Sequence, residues 1–235
     1  MWATGITPDG WKDSITILLE KEGKDSTHIE NNRPIGLLNT IYKLWTKLIT
    51  KALYDYAEQY GLLSASQKGF RKQSSTMTQL QILIMALEDA RLTGQNIYKI
   101  QVDFSKAFDM MDHDKMLQII YDLGIPTDAV DVIKNLYTGA ATRVKWGPSG
   151  LTNPIIQNRG TIQGDSLSPL LFALSIEPLL RWLHTGGRGY MFGCLADEEA
   201  VQLRSAASGV AFADDLDILT SSLSNTKIQA EKLSL

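Results

Sequence analysis

Two adjacent carboxylates, Asp214 and Asp215, interrupt an apolar run that extends from Val210 to Leu219. The period-2 spacing of Val210 and Phe212 before them, and of Leu216 and Ile218 after them, predicts two short strands with the acidic pair at the bend. Such a bend holds both carboxylates at the exposed tip of a buried hairpin, where a divalent metal could be gripped. Asp-Asp is also ordinary turn chemistry, so the meaning of the pair depends on what else the chain carries.

A second acidic position, Asp103, lies 111 residues before Asp214. Tyr98, Ile100 and Val102 alternate with Ile97, Lys99 and Gln101, which predicts a strand running into the turn Phe104 to Asp109 with Asp103 at its end. A helix is expected to start near Asp112 or His113 and to stop at Leu123-Gly124, before Pro126. If the two strands are neighbours, the three carboxylates can share metals. Two Mg²⁺ ions roughly 4 Å apart, held by carboxylates and substrate phosphates, are the usual apparatus of nucleotidyl transfer. A third element spans Asn158 to Pro169 (NRGTIQGDSLSP). A strand from Pro154 to Asn158 leads into a Gly-rich turn, and a helix from about Ser168 carries Leu170, Leu171, Leu174, Ile176 and Leu179. Glycines let a backbone approach a ligand closely, and Gln163 offers a donor and an acceptor beside it; a Ser- or Asp-capped helix start has the same look.

In this order the three elements resemble the palm of a reverse transcriptase, and above all the non-LTR (LINE-like) retrotransposon enzymes. Further matches are Ser14 to Gly23 (SITILLEKEG), Asn32 to Asn39 (NRPIGLLN) and Gln67 to Arg71 (QKGFR), so the likeness runs from about Trp11 to about Thr220. It implies an α+β fold: a right-hand polymerase palm with an antiparallel sheet backed by helices, helical and β fingers, and a thumb expected only after residue 235. The corresponding division is 1–95 fingers-like, 96–114 palm, 115–160 connection and hairpin, and 161–235 palm.

The resemblance also implies an activity: RNA-directed DNA synthesis on an RNA template, joining dNTPs to a DNA primer 3′-OH with two Mg²⁺, or Mn²⁺. Asp103 and Asp214 take the bridging metal roles, Asp215 stands beside them, and the backbone carbonyl of Phe104 supplements them. Phe108 falls where reverse transcriptases place an aromatic ring under the sugar, in the space a ribose 2′-OH needs. Arg33 is the candidate for the triphosphate, since a guanidinium binds phosphate oxygens bidentately, and Lys21 is a second. Gln163 and Gly164 are expected to line the dNTP and template-base pocket, with Lys68 and Arg71 at the template backbone. Asp109 and Asp112 are read as turn and cap residues, outside the site.

This sequence departs from the family at two points: Ile162 stands where many relatives have arginine, and Asp165-Ser166 replaces a common Cys-Pro pair. The chain reads as an excerpt of a longer polyprotein with thumb and endonuclease, and the parent element as intracellular, nuclear and cytoplasmic. Three alternatives stay open: a group II intron-type enzyme, against which Phe212 in place of Tyr counts; an RNA-dependent RNA polymerase, against which Phe108 counts; and an inactive relic or nucleic-acid-binding module.

Composition sets outer limits. An apolar fraction of 44% over 235 residues suffices for a large core, and no apolar run reaches the roughly 18 residues of a membrane span. Met1 to Gly10 lacks the regions of a signal peptide. The one cysteine, Cys194, excludes an internal disulfide, and the scattered His28, His113 and His184 give no zinc pattern. Residues 1–75 hold 10 Lys/Arg against 8 Asp/Glu, and residues 76–235 hold 13 against 18. An acidic palm suits metal binding, whereas +2 elsewhere is feeble for gripping a duplex. Helices are further expected over Asn39 to Gln59, with Ile41, Leu44, Trp45, Leu48, Ile49, Ala52, Leu53 and Tyr56 as the apolar stripe, from Ser75 to Thr93, and over Asp128 to Tyr137. A hairpin is expected around Gly147 to Gly150, and Tyr190 to Leu195 as a strand.

Overall fold

In the computed structural model, which describes residues 7, 8, 10–145, 150–193 and 206–233, strands and helices alternate irregularly along the chain. The order is β1 (Asp13–Glu20), β2 (Asn32–Leu38), α1 (Thr40–Gln59), α2 (Thr76–Thr93), β3 (Tyr98–Asp103), α3 (His113–Asp122), α4 (Thr127–Tyr137), β4 (Ala141–Val144) and β5 (Ile155–Ile156). There follow α5 (Ser168–Ser175), α6 (Glu177–His184), β6 (Tyr190–Met191), β7 (Ala206–Ala207), β8 (Gly209–Phe212), β9 (Asp215–Thr220) and α7 (Leu223–Leu233). The elements belong to two compact units, each made of two chain segments: Met1–Tyr60 with Lys106–Ser175, and Gly61–Ser105 with Ile176–Leu235. The changeovers fall at 60, 105 and 175, because long-range pairing and not chain order decides which segments share a core.

The first unit holds a sheet of order β2-β1-β4-β5. β1 and β2 are antiparallel with Thr16 opposite Gly36, β1 and β4 run parallel, and β4 and β5 form the expected hairpin; its tip, 146–149, lies outside the described residues. Asn39 caps α1 by accepting a hydrogen bond from Ile41 N at 2.8 Å, and Asp112 caps α3 by accepting one from Lys115 N at 3.1 Å, as Asx caps do for orphan N–H groups. The buried stripe of α1 is Tyr42, Thr46, Ile49, Leu53 and Ala57. That is a rotation from the expected stripe, and Ile41, Leu44 and Leu48 are exposed. Apolar residues surround much of this helix, so its partners and not its periodicity choose the inward face. Met116, Ile120, Ile133, Leu136, Leu171 and Leu174 are fully buried from α3, α4 and α5.

The second unit is built on the three-stranded antiparallel sheet β3-β9-β8. Ile100, Val102, Leu216, Ile218 and Ala211 pack with Leu180 and Leu183 of α6 and Leu233 of α7. Each fully buried aliphatic side chain there contributes about 1.5–3 kcal/mol. On the opposite face, far from the hairpin tip, Leu219 packs with Ala86 and Ala90 of α2 and with Tyr190. The helix expected to run on from Ser168 is interrupted at Ile176, and α6 restarts with Pro178 in its first turn. A proline inside a helix removes a hydrogen bond and collides with the carbonyl four residues back, so the break follows from Pro178. The strand expected over Tyr190 to Leu195 is paired only at Tyr190–Met191, and its last two residues, including Cys194, lie outside the described residues. Among the described residues no helix is long and apolar enough to cross a membrane.

Candidate functional site

The acidic hairpin of the second unit forms as its sequence predicts. Phe212 and Asp215 are register partners, leaving Ala213 and Asp214 as a two-residue turn. Tight turns of this length match the twist of the flanking strands when their central residues take positive φ, and Ala213 does so at φ +56°. β3 lies on the other side of β9 with Asp103 directly opposite Asp215. Directly opposed residues share a sheet face with Cβ atoms about 4.5–5.5 Å apart. Asp103 and Asp215 are both exposed and Asp214 is half-buried.

Two like charges in opposed positions are unfavourable by themselves, and a divalent cation would remove that penalty. Farther down the same face, Lys99 pairs with Asp217 at 2.9 Å. Among the described residues no three His, Cys, Asp or Glu side chains gather closely enough to cage an ion alone. The ring of Phe104, next to Asp103, lies in a groove with Leu179, Trp182 and Leu233.

The first unit carries a second constellation. The ring of Phe108 rests on buried Phe172 of α5, with centroids 4.5 Å apart. The segment after Phe108 is zipped to the Gly-rich turn: Thr161 N donates to Phe108 O at 2.8 Å and Gly160 N to Met111 O at 2.7 Å. His113 Nε2 donates to Gly160 O at 2.7 Å; a carbonyl only accepts, so this nitrogen carries the proton. Gln163 Nε2 donates to Asp109 Oδ1 at 2.9 Å. Gly164, at φ +83°, and Gly36 of β2 pack backbone against backbone, and a methyl on Gly164 would lie 2.6 Å from Gly36 O. Between these segments lies a cleft of about 250 Å³, lined by Thr16, Pro34, Gly36, Asp109, Arg159 and Gln163 among others.

Asp109 is therefore a partner of Gln163, a role that its position in a turn did not reveal; the pairing joins residues 54 apart and carries no local signal. Asp112 is the α3 cap, and the Lys115 N–H holds its carboxyl below the ordinary range, with Arg159 adding to the effect. Arg33 is exposed on β2 opposite Leu19, on the other face of the strand from Pro34 and Gly36 and outside the set lining this cleft. Lys21 donates to Glu30 O at 2.7 Å. Arg71 donates to Ser64 O at 2.7 Å, which closes its own loop, while Lys68 is half-buried beside β8, its N–H bonded to Ala211 O. Asp165, just past the Gln163-Gly164 turn, is buried, and burial pushes its carboxyl above the ordinary range against the opposing pull of Thr46 and Lys43. Burial likewise raises the phenols of Tyr42 and Tyr137, and the neighbouring Asp165 charge adds to both.

Comparison with known proteins points in one direction. The family described as "Reverse transcriptase (RNA-dependent DNA polymerase)" matches residues 19–234. The chain is 28% identical over 216 residues to the Pol polyprotein of the type-1 retrotransposable element R2 of Popillia japonica, covering 92% of this chain and 29% of that protein. It is 31% identical over 176 residues to a 149 kDa protein of transposon TX1 of Xenopus laevis, covering 75% of this chain and 13% of that protein. Among solved structures, apo telomerase of Candida tropicalis, truncated from its C-terminal domain, superposes with a TM-score of 0.61 at 14% identity over 98% of this chain and 48% of that one. The fold is thus shared with telomerase, and the chain spans less than a third of the curated relatives it matches.

Proposed function

The chain belongs to the reverse transcriptase (RNA-dependent DNA polymerase) family, and from that membership we propose that it is the polymerase portion of a non-LTR retrotransposon protein. Its relatives are longer polyproteins, and reverse transcriptases as a family work with divalent metal ions. The reaction proposed is attack of a DNA primer 3′-oxygen on the α-phosphorus of a dNTP paired to an RNA template. One P–O bond forms, the α–β bridge breaks, and pyrophosphate leaves. In the intact parent the primer would be nicked target DNA, and the setting the nucleus and cytoplasm.

The observation that carries this reading is the register that sets Asp103 opposite Asp215 with Asp214 in the adjoining turn. These three, with the Phe104 carbonyl, would hold two Mg²⁺, or Mn²⁺, which would acidify the 3′-OH and offset charge on the triphosphate. Gln163 and Gly164 are proposed to bound the dNTP and template base, Arg33 to hold the triphosphate, and Lys68 and Arg71 to face the template backbone. Phe108, stiffened by Phe172, is proposed to stand where a ribose 2′-OH would project, so dNTPs are preferred.

Primer extension on poly(rA)/oligo(dT) tests this, with dTTP or UTP, with Mg²⁺ or Mn²⁺, and with Asp214→Asn alongside. Extension from dTTP that disappears in a folded Asp214→Asn protein is the expected result. Undiminished extension by that variant refutes the assignment of the carboxylates.

A further inference from the structure

Gln67 sits beneath the acidic turn. The segment Ser66 to Lys68 runs parallel to β8: Ala211 N donates to Ser66 O at 2.8 Å and Lys68 N donates to Ala211 O at 2.7 Å, with Gln67 bridged to Ala211. The Gln67 side chain, wholly buried, continues past the end of β8 to Ala213. Its Oε1 accepts from Ala213 N at 3.1 Å and from Gly69 N at 2.7 Å, and its Nε2 donates to Ala213 O at 3.4 Å. One amide thus answers both backbone polar groups of the residue held at φ +56°. At Gly69 there is no room for a side chain, because a methyl there would overlap Ala213 N and lie 3.0 Å from its Cα.

The loop that presents Gln67 is itself tied down. Arg71 Nη1 donates to Ser64 O at 2.7 Å, Ser64 N donates to Glu177 Oε1 at 2.9 Å, and Arg181 Nη2 donates to Leu62 O at 2.9 Å. Glu177 and Arg181 lie on α6, the helix that also backs the sheet. The sheet and the loop under its turn therefore share one support.

Left-handed φ costs a non-glycine residue roughly 1–2 kcal/mol, and buried backbone groups need partners. Gln67 meets the second need and so holds Ala213 in the conformation from which Asp214 departs. We propose that Gln67 is a positioning residue for nucleotidyl transfer, fixing the Ala213-Asp214 turn so that Asp214 meets the metal in register with Asp103 and Asp215. This rests on the polymerase reading above.

Two variants separate positioning from bulk stability. Gln67→Met keeps length and apolar bulk but loses all three side-chain hydrogen bonds. Gln67→Glu keeps the donor-and-acceptor pattern when protonated and loses the donor when ionised. With Mg²⁺, which demands near-ideal octahedral geometry, Gln67→Met is expected to lower kcat by about 10–100-fold with KM for dTTP within about threefold. The deficit should shrink with Mn²⁺, whose coordination is less exacting. Gln67→Glu should recover activity relative to wild type as pH falls. Amide exchange over residues 210–216 should accelerate in Gln67→Met, a readout that needs no activity.

Equal losses with both metals and no pH-dependent recovery in Gln67→Glu would overturn the positioning role while the polymerase reading stands. Absence of incorporation by the wild-type chain with either metal would instead overturn the polymerase reading, and the inference with it.

Discussion

Gly36→Ala is the most discriminating perturbation of the first unit. Gly36 has no positive φ, so a methyl group there adds no backbone strain, yet it would overlap the carbonyl oxygen of Gln163 and lie 3.2 Å from its carbon. From the other side of the same contact, a methyl on Gly164 falls 2.6 Å from Gly36 O, against 3.4 Å for an ordinary contact. β2 and the Gln163-Gly164 turn must therefore part by about 0.8 Å or more. Overpacking of this kind costs about 1–3 kcal/mol. At about 2–4 °C per kcal/mol for a chain of this length, Tm should drop by about 2–12 °C. A misplacement near 1 Å costs about 100-fold in rate when the displaced group positions substrate, so dTTP incorporation should fall by about that factor even well below Tm. Gly23→Ala is the control: its φ is +73° and nothing lies within 4 Å, so it should carry a backbone penalty of about 1–2 kcal/mol with unchanged incorporation. The double variant Gly36→Ala/Gly164→Ala should be less destabilised than the two single effects added, because a strand and turn already parted make room for the second methyl. Wild-type Tm and wild-type incorporation in Gly36→Ala would refute the reasoning.

Two further outcomes follow from buried groups. Phe172→Leu removes the ring under Phe108 at less than the about 3–5 kcal/mol of truncation to alanine; the ratio of UTP to dTTP incorporation should rise, and an unchanged ratio would mean that Phe108 needs no such support. Asp165→Asn should stabilise the chain at neutral pH. Burial raises the folded-state value of Asp165 above its ordinary 3.8, so the folded chain binds the proton more tightly than the unfolded one, and wild-type stability falls as pH rises from about 3.8 through the raised value. The Tm advantage of Asp165→Asn should therefore widen over that interval and then level off, whereas parallel Tm curves from pH 4 to 8 would count against a buried charge.

Much of the local structure is written in the sequence. Alternation marked β3, β8 and β9; Asn39, Ser75 and Asp112 marked helix starts; and the acidic pair at a break between two alternating runs marked a turn. These signals are local because pleat, helical period and capping are decided within a few residues. The neighbouring of Asp103 and Asp215 could be anticipated only as a condition on the strands, and the pairing register met it. The tertiary structure alone decided which face of α1 turns inward, since apolar side chains on both candidate faces leave the choice to its partners. It alone joined Gln163 to Asp109, and Gln67 to Ala213 across 146 residues. A buried amide announces itself only through what it bonds, and no periodicity encodes a partner that far away. The sequence by itself determined the carboxylates, the turn and the strands that present them; packing between distant segments determined where those carboxylates point, because register and buried polar partners exist only once the chain has closed.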